Sequence, residues 1–483
     1  MITRLILLFL CTGLIACQLQ QQPRQDIRLA VAQAPINLDP RYATDAASAR
    51  VNRLIYRSLV SFDSASKVVP DLATWQLVSP TQYRFKLGAV GRSFHDGSAL
   101  NAEDLQATYQ SLIALKDSPL SAEFANIQQI KVLDADTVDF YLKQADGAFP
   151  SKLIIGILPA KTIESGTDIG HHPIGSGPLK FESWQHVLQL RRVNDGQAIT
   201  LLEVKDPTVR VLKLLRGEVD ILQGDLPPEL VKYLKKHYIK KQSAVNVQEG
   251  AGANFSYLGF NCQDKTLANL KVRQAIAHAI NRSTIIQQAL VGGTREAGAI
   301  LPPEHWAGNS DLPAYEYDPA LARQLLQEAG IQLPLKITYK TSTDPQRVRL
   351  ATIMQAQMRE SGIEMEIKSL DWGTFFEDVK QGNFQLFGLT WVGINTPDIY
   401  LKAFASDNVP PQGFNRGRFA DAYLDALLAN QDWKAATTYI HQQLPYVPLW
   451  YEGQFAATRN NIQGYVPKAD GNWDDLAQVT RRH

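Results

Sequence analysis

The sequence predicts an α/β fold with more than one domain, and three observations carry that prediction. The chain has 483 residues, more than one hydrophobic core usually organises. Residues 318–391 alternate helix-type and strand-type apolar periodicity, which predicts a parallel, doubly wound sheet. Outside that region, short period-two strands and capped amphipathic helices follow one another with no repeat and no low-complexity segment.

In chain order, Ile27, Leu29 and Val31 make a first strand, and a helical stretch follows from about Ala46 to Leu59. In "YRFKL", Tyr83, Phe85 and Leu87 fall on one face, as in a half-buried strand. After the Asp96-Gly97 turn, Asn101 is placed to cap a helix, with Asp104 reaching back from its third position. Leu105, Tyr109, Leu112 and Ile113 form the apolar face of that helix.

The run "GANFSYLGFN" (252–261) reads as a strand. It leads into a helix whose Val272, Ala275, Ile276, Ala279 and Ile280 recur at helical spacing. Asn281 can cap the next helix, which stops at Gly292-Gly293. From Asp318-Pro319, a helix runs to Gly330, a strand carries Leu335, Ile337 and Tyr339, and Asp344-Pro345 opens a second helix ending at Gly362. Ile363, Met365 and Ile367 alternate as a strand. A short helix with Phe375, Phe376 and Val379 stops at Gly382, and Phe384 to Trp391 is the third strand. Ligands of such sheets bind beyond the carboxyl ends of the strands. Thr341, Trp391 and the following Gly393-Ile394 lie there, with Trp372 in the loop region beside them.

Composition excludes several classes. Lys+Arg number 49 and Asp+Glu 48, a net charge of +1, so no basic excess argues for nucleic acid. Apolar residues make up 45% and charged residues 20%, an ordinary balance for a globular protein. There is no G-x-S-x-G elbow and no H-E-x-x-H pair, so no enzyme is expected. No Cys/His cluster has metal-ligand spacing, so neither metal nor cofactor is expected.

The first residues stand apart. Arg4 precedes an apolar run from Leu5 to Ala16, too short to span a bilayer but suited to a signal-peptide core. Leu14-Ile15-Ala16-Cys17 looks like a bacterial lipobox, which implies cleavage before Cys17, lipidation of its sulfur and a polar tether from 17 to 25. Of three cysteines, Cys11 then leaves with the signal, Cys17 carries lipid and Cys262 remains alone.

The chain resembles the family 5 extracellular solute-binding proteins of ABC importers over nearly its whole mature length. "NLDPRYATDAASARVNRLIYRSLVSFD" looks like that family's opening, and "RSFHDGSALNAEDLQATYQSL" like its most recognisable segment. "HPIGSGPLKFESW", "LLRGEVDIL", "YLGFNCQDKTLANLKVRQAIAHAINRSTII", "YDPALARQLLQEAG" and "LPYVPLWYE" follow in the family's order. The resemblance implies a periplasmic-binding-protein-like fold of the cluster C type. It would have two lobes of mixed or parallel sheet, a hinge and an inserted domain. Lobe I would comprise 26–55, 172–252 and 448–483, the inserted domain 56–171, and lobe II 253–447. It also implies a monomer that closes on a small organic or peptide-like ligand and docks on a membrane permease. The same fold could instead serve as a transporter-independent surface receptor or peptide-holding chaperone. Gln18, which does not look like an inner-membrane retention signal, leans mildly that way.

The resemblance implies ligand contacts at Thr44, Ala46, Thr341, Trp372, Trp391, Gly393, Ile394 and Arg416. Two of these depart from the family's pattern. Peptide-binding members read W-x-x-D where this chain has Trp391-Val392-Gly393-Ile394, and that aspartate pairs with the ligand amine. Dipeptide receptors carry an arginine for the ligand carboxylate where Thr341 stands, although Lys340 precedes it. Both anchors of a zwitterionic dipeptide are therefore missing. Asp398 could replace the amine partner, or cap a helix after Pro397. The Arg416/Arg418 pair could take a carboxylate or lie in a solvated loop.

Overall fold

The computed structural model describes residues 25–43, 45–116, 118, 120–239, 245–410 and 413–482. The expected signal peptide, Cys17 and nearly all of the tether lie outside the described residues, as does Thr44.

The chain enters through β1 (Ile27–Val31) and α1 (Ala46–Ile55). Asp45 caps α1 by accepting the Ser48 N–H at 2.8 Å. The helix ends at Ile55 rather than near Leu59, and the reason is local. Gly177 donates its N–H to the Ile55 carbonyl at 2.8 Å, so the "GSG" loop (175–177) seals the helix end. A Cβ on Gly177 would sit 2.5 Å from the Leu54 oxygen, so only glycine lets the loop approach.

An inserted sheet follows, with β2 (Ala73–Ser79), β3 (Gln82–Leu87), β4 (Ile127–Asp134) and β5 (Thr137–Leu142). It is antiparallel throughout, in the order β2-β3-β5-β4. Helix α2 (Ala102–Ala114) packs on it. The Asn101 side chain accepts the Glu103 N–H, and Asp104 reaches back to the Asn101 N–H, both at 2.8 Å, as the capping pattern predicts. Phe85, Tyr109, Phe140 and Phe149 fill the core between them. Phe140 contacts the other three rings at centroid distances of 5.4 to 5.5 Å.

The main sheet takes in β1, β6 (Leu179–Trp184), β7 (Leu188–Arg192), β8 (Ala198–Glu203), β9 (Ile221–Gln223), β10 (Val245–Phe260), β11 (Leu335–Ser342), β12 (Ile363–Leu370), β13 (Leu386–Trp391) and β14 (Tyr446–Arg459). Its path is β12-β11-β13-β10-β14-β9-β1-β8-β7-β6, eleven strands among the described residues with the short Arg295–Glu296 strand on β14. The three strands predicted across 335–391 do pair in parallel, with β11 in the middle. Their neighbour β10 runs antiparallel to β13.

Strands β10 and β14 are longer than the sequence suggests and belong to both lobes. At one end Val245 pairs with Arg459, next to β9; at the other Gly259 pairs with Tyr446, next to β13. The ladder shifts register twice, between Gly250 and Asn254 and between Ser256 and Tyr257, and at the first of these the sheet passes from one lobe to the other. One lobe buries Ile27, Leu29, Val51, Leu54 and Ile199. The other buries Val272, Ile276, Ile337 and Met358 on one face of its sheet, and Phe255, Phe375, Phe387 and Tyr400 on the other. A fully buried Ile, Leu or Phe stabilises by about 1.5–3 kcal/mol, so each lobe carries a core of its own.

Candidate functional site

Because β11 and β13 are parallel, their carboxyl ends share an edge. Thr341 is the last residue but one of β11, Trp391 ends β13, and Trp372 opens the helix α3 (Trp372–Gln381) beside them. Past Trp391, Gly393 takes φ = +70°, a conformation easy for glycine and strained for most other residues. The turn brings Ile394 into the space between the lobes.

Trp391 is held by an alternation of rings and guanidinium groups. Tyr257 stacks on it at 6.4 Å with an interplanar angle of 13°, and the Arg416 guanidinium lies 4.5 Å from its ring centre. Arg416 also lies 5.5 Å from Phe376, which stacks on Trp372 at 5.5 Å, and Arg347 stands 5.7 Å from Trp372. Each cation–ring contact stabilises by about 0.5–2 kcal/mol. The structure thus places Arg416 among Trp391, Phe376 and Phe414, with Nη1 donating to the Tyr257 hydroxyl at 3.3 Å. Its guanidinium braces the tryptophan, and it borders neither part of the interlobe space described below. Arg418 is occupied with the Arg416 and Lys380 carbonyls. Trp372 is 53% exposed and likewise borders neither part.

The space between the lobes has two parts. The outer part, about 620 Å³, is faced by Trp391, Gly393 and Ile394 from one lobe and by Ala43, Asn52 and Arg53 from the other. The inserted domain adds Ile154 and Ile155. Ala46 is exposed and borders neither part, whereas its neighbours Ala43 and Ala49 border the outer one. Asp398 faces the outer part but is not a cap: the N-cap is Pro397, and Asp398 is the first residue of the helix Asp398–Phe404. Pro397 turns the chain first, its carbonyl accepting the Tyr400 N–H at 2.9 Å. Burial raises the Asp398 pKa, partly offset by Lys152 and Lys402.

The inner part, about 370 Å³, lies at the lobe crossover and is faced by Thr341, Arg347 and Thr390 from one lobe and Arg50 and Asp225 from the other. From the crossing strands come Asn254, Ser256, Glu452 and Gln454. Glu452 Oε1 accepts from Ser256 Oγ at 2.7 Å and from Thr390 Oγ1 at 3.0 Å. Sequence reasoning missed Arg347 and Glu452. Signals existed: Arg347 sits in the first turn of its helix, where the dipole disfavours a cation, and Glu452 interrupts an apolar strand.

Lobe II also touches the opposite side directly. The Trp306 backbone N–H donates to the Ala65 carbonyl at 3.0 Å, and Arg349 pairs with Glu229. Between these contacts and the cleft, buried His305 bonds through Nε2 with the Asn395 carbonyl at 3.0 Å. Its Nδ1 accepts the Ala307 N–H at 3.0 Å. This pairing requires a neutral ring with its proton on Nε2. Burial lowers the His305 pKa, opposed by the Asn395 bond and by Asp63. The folded value lies below the unfolded value of about 6.5. The stability contributed by the neutral ring is therefore full above that value and is lost as pH falls through the folded one. The melting temperature should fall between about pH 7 and pH 5 more steeply in wild type than in His305→Gln. Parallel curves would refute the assignment.

Comparison with known proteins fits this architecture. The family model for bacterial extracellular solute-binding proteins, family 5 middle region, matches residues 67–410. The probable di/tripeptide-binding protein 5 of Pseudomonas aeruginosa is 30% identical over 486 residues, covering 89% of this chain and 90% of that one. The dipeptide-binding protein of Escherichia coli is 26% identical over 472 residues, covering 85% and 86%. Among solved structures, the ABC transporter substrate-binding protein CtaP of Listeria monocytogenes superposes with a TM-score of 0.83 at 22% identity. That match covers 96% of this chain and 100% of CtaP and supports the fold alone. By the extent of the family match and its agreement with the two-lobed cleft, the chain belongs to the family 5 bacterial extracellular solute-binding proteins.

Proposed function

We propose that the protein is an extracytoplasmic receptor that closes around a peptide-like solute and delivers it to an ABC permease. As a family 5 solute-binding protein it is a substrate receptor and not an enzyme. The carrying observation is the cleft, where Trp391, Gly393 and Ile394 face α1 across a cavity, with two long strands running between the lobes. A ligand touching both walls would stabilise the closed form by its differential affinity for it. In this reading the lobes follow the expected division, with 26–55, 172–252 and 448–483 against 253–447 and with 56–171 inserted. The register break at Gly250/Asn254 is the hinge.

The solute is not an ordinary free-amine dipeptide. Ile394 offers no charge to an amine, and leaving an ammonium unpaired there would cost about 3–5 kcal/mol. The relatives' names speak of dipeptides and di/tripeptides, which supports the peptide-like class. The lipid on Cys17 and the monomeric state are part of the same proposal.

One mass-spectrometric experiment tests all three. Protein purified from its host membranes should begin at Cys17 with the mass of a lipid adduct, and under native conditions it should carry a small solute as a monomer. An unmodified Cys17 would refute the anchor, a dimer the monomer, and a persistently empty cleft the high-affinity receptor.

A further inference from the structure

Building on the receptor reading, we propose that the inner part of the cleft binds an α-amino-acid head group of the ligand. Its ammonium would rest on Glu452 and its carboxylate between Arg347 and Arg50.

The charges facing this cavity are Arg50, Asp225, Asp344, Arg347 and Glu452. Two of the acids are accounted for. Asp344 caps its helix, accepting the Arg347 N–H at 2.9 Å, and Asp225 is exposed. Glu452 differs. Its Oε1 is fixed by the Ser256 and Thr390 hydroxyls, while its Oε2 has no protein partner among the described residues. A carboxylate locked in place with one oxygen free is preorganised for a cationic group.

The two arginines are complementary to that acid but paired with none. Arg347 has a single long bond, from Nη1 to the Gly388 carbonyl at 3.3 Å, and its guanidinium lies over Trp372. Arg50 lies 5.3 Å from the Trp473 ring centre. Neither has an ion-pair partner among the described residues. They come from opposite lobes, so an anion between them would favour closure.

The spacing suits one head group. Arg347 is tied to Gly388, and Glu452 to Thr390, two residues further along β13. Two residues of strand span about 7 Å. An ammonium and a carboxylate on one carbon, each with a charged hydrogen bond of about 2.8 Å, cover a similar distance. The two parts of the cleft adjoin: Arg50 and Gly471 face the inner one, Ala49, Asp470 and Asn472 the outer. The remainder of the ligand would run outward past Trp391 to Ile394. The neutral residue at 394 then follows, because the charged end lies in the inner part, which Thr341 faces together with Arg347.

The test uses γ-glutamylalanine, whose ammonium and free carboxylate share one carbon, its α-linked isomer, and N-acetyl-γ-glutamylalanine, titrated by calorimetry into the full folded receptor. The γ-linked compound should bind at least tenfold tighter than either other. Glu452→Gln and Arg347→Gln should each remove at least tenfold of that affinity. Equal binding of the isomer or the acetylated compound, or unchanged binding by both variants, would overturn the assignment. If Glu452→Gln fails to fold, the three compounds on the wild type decide. If none binds, the solute carried from the host decides: one lacking a free α-amino-acid head overturns the head-group site and leaves the receptor intact. An empty protein would fell the receptor reading, and this one with it.

Discussion

Gly453→Ala should destabilise the protein by about 2–4 kcal/mol, near the upper end for one added methyl group. At the lobe crossover, the new Cβ would stand 2.3 Å from the Gly292 oxygen, 2.5 Å from the Thr294 nitrogen and 2.8 Å from the Gly293 carbonyl carbon. All three are backbone atoms, so no rotamer change relieves the clash. The Gly453 N–H also donates to Thr294 Oγ1 at 2.9 Å, a bond that a shift of the strand would lengthen. Gly147 is the control, since a Cβ there meets nothing within 4 Å and its φ requires no left-handed conformation. Gly147→Ala should be neutral or stabilise by up to about 1 kcal/mol, through the unfolded chain. Scanning calorimetry of both variants decides, and an unchanged transition in Gly453→Ala would show that the crossover is not tightly packed.

That crossover marks where the sequence stops being readable. Strands and helices over 318–391 are legible because Asp-Pro caps and Gly stops bracket each period. Parallel pairing follows from the spacing. The full reach of β10 and β14 is not legible. "NVQEGAGA" has too little apolar alternation to read as strand, because a long partner strand supplies its stability instead of a buried face. Thr341, Trp391, Gly393 and Ile394 are legible as strand-end residues, since topology alone brings strand ends to one edge. Arg416 is not legible as the brace of Trp391, because the pairing joins residues 25 positions apart through ring geometry that no sequence period encodes. Arg347 and Glu452 leave only local inconsistencies, a cation in a helix's first turn and an acid inside an apolar strand. Such inconsistencies are characteristic of functional positions.

Ile394→Asp should raise affinity for free-amine dipeptides by about 10- to 100-fold, the equivalent of about 1.4–2.8 kcal/mol for a partly buried, charge-assisted pair. Three opposing effects are smaller. The isoleucine packs on the aromatic core only in part, so its loss costs about 1 kcal/mol of stability and little binding energy. The neighbouring Asp398 already has its pKa raised by burial, and a second carboxylate nearby would raise it further. Asp398 then tends toward the neutral form and leaves the new aspartate as the charged one. The cations that could capture the new carboxylate are poorly placed to compete. Lys152 is bound to Asp146 at 2.7 Å, and Lys402 is exposed, where an ion pair contributes at most about 1 kcal/mol. The gain should vanish for the same dipeptides N-acetylated, because acetylation removes the charge the aspartate would pair with. Calorimetric titration of matched free and acetylated dipeptides into wild type and variant separates these effects. If affinity rises for both sets alike, the aspartate is acting through cavity shape. If it rises for neither, the position of Ile394 against the ligand is wrong.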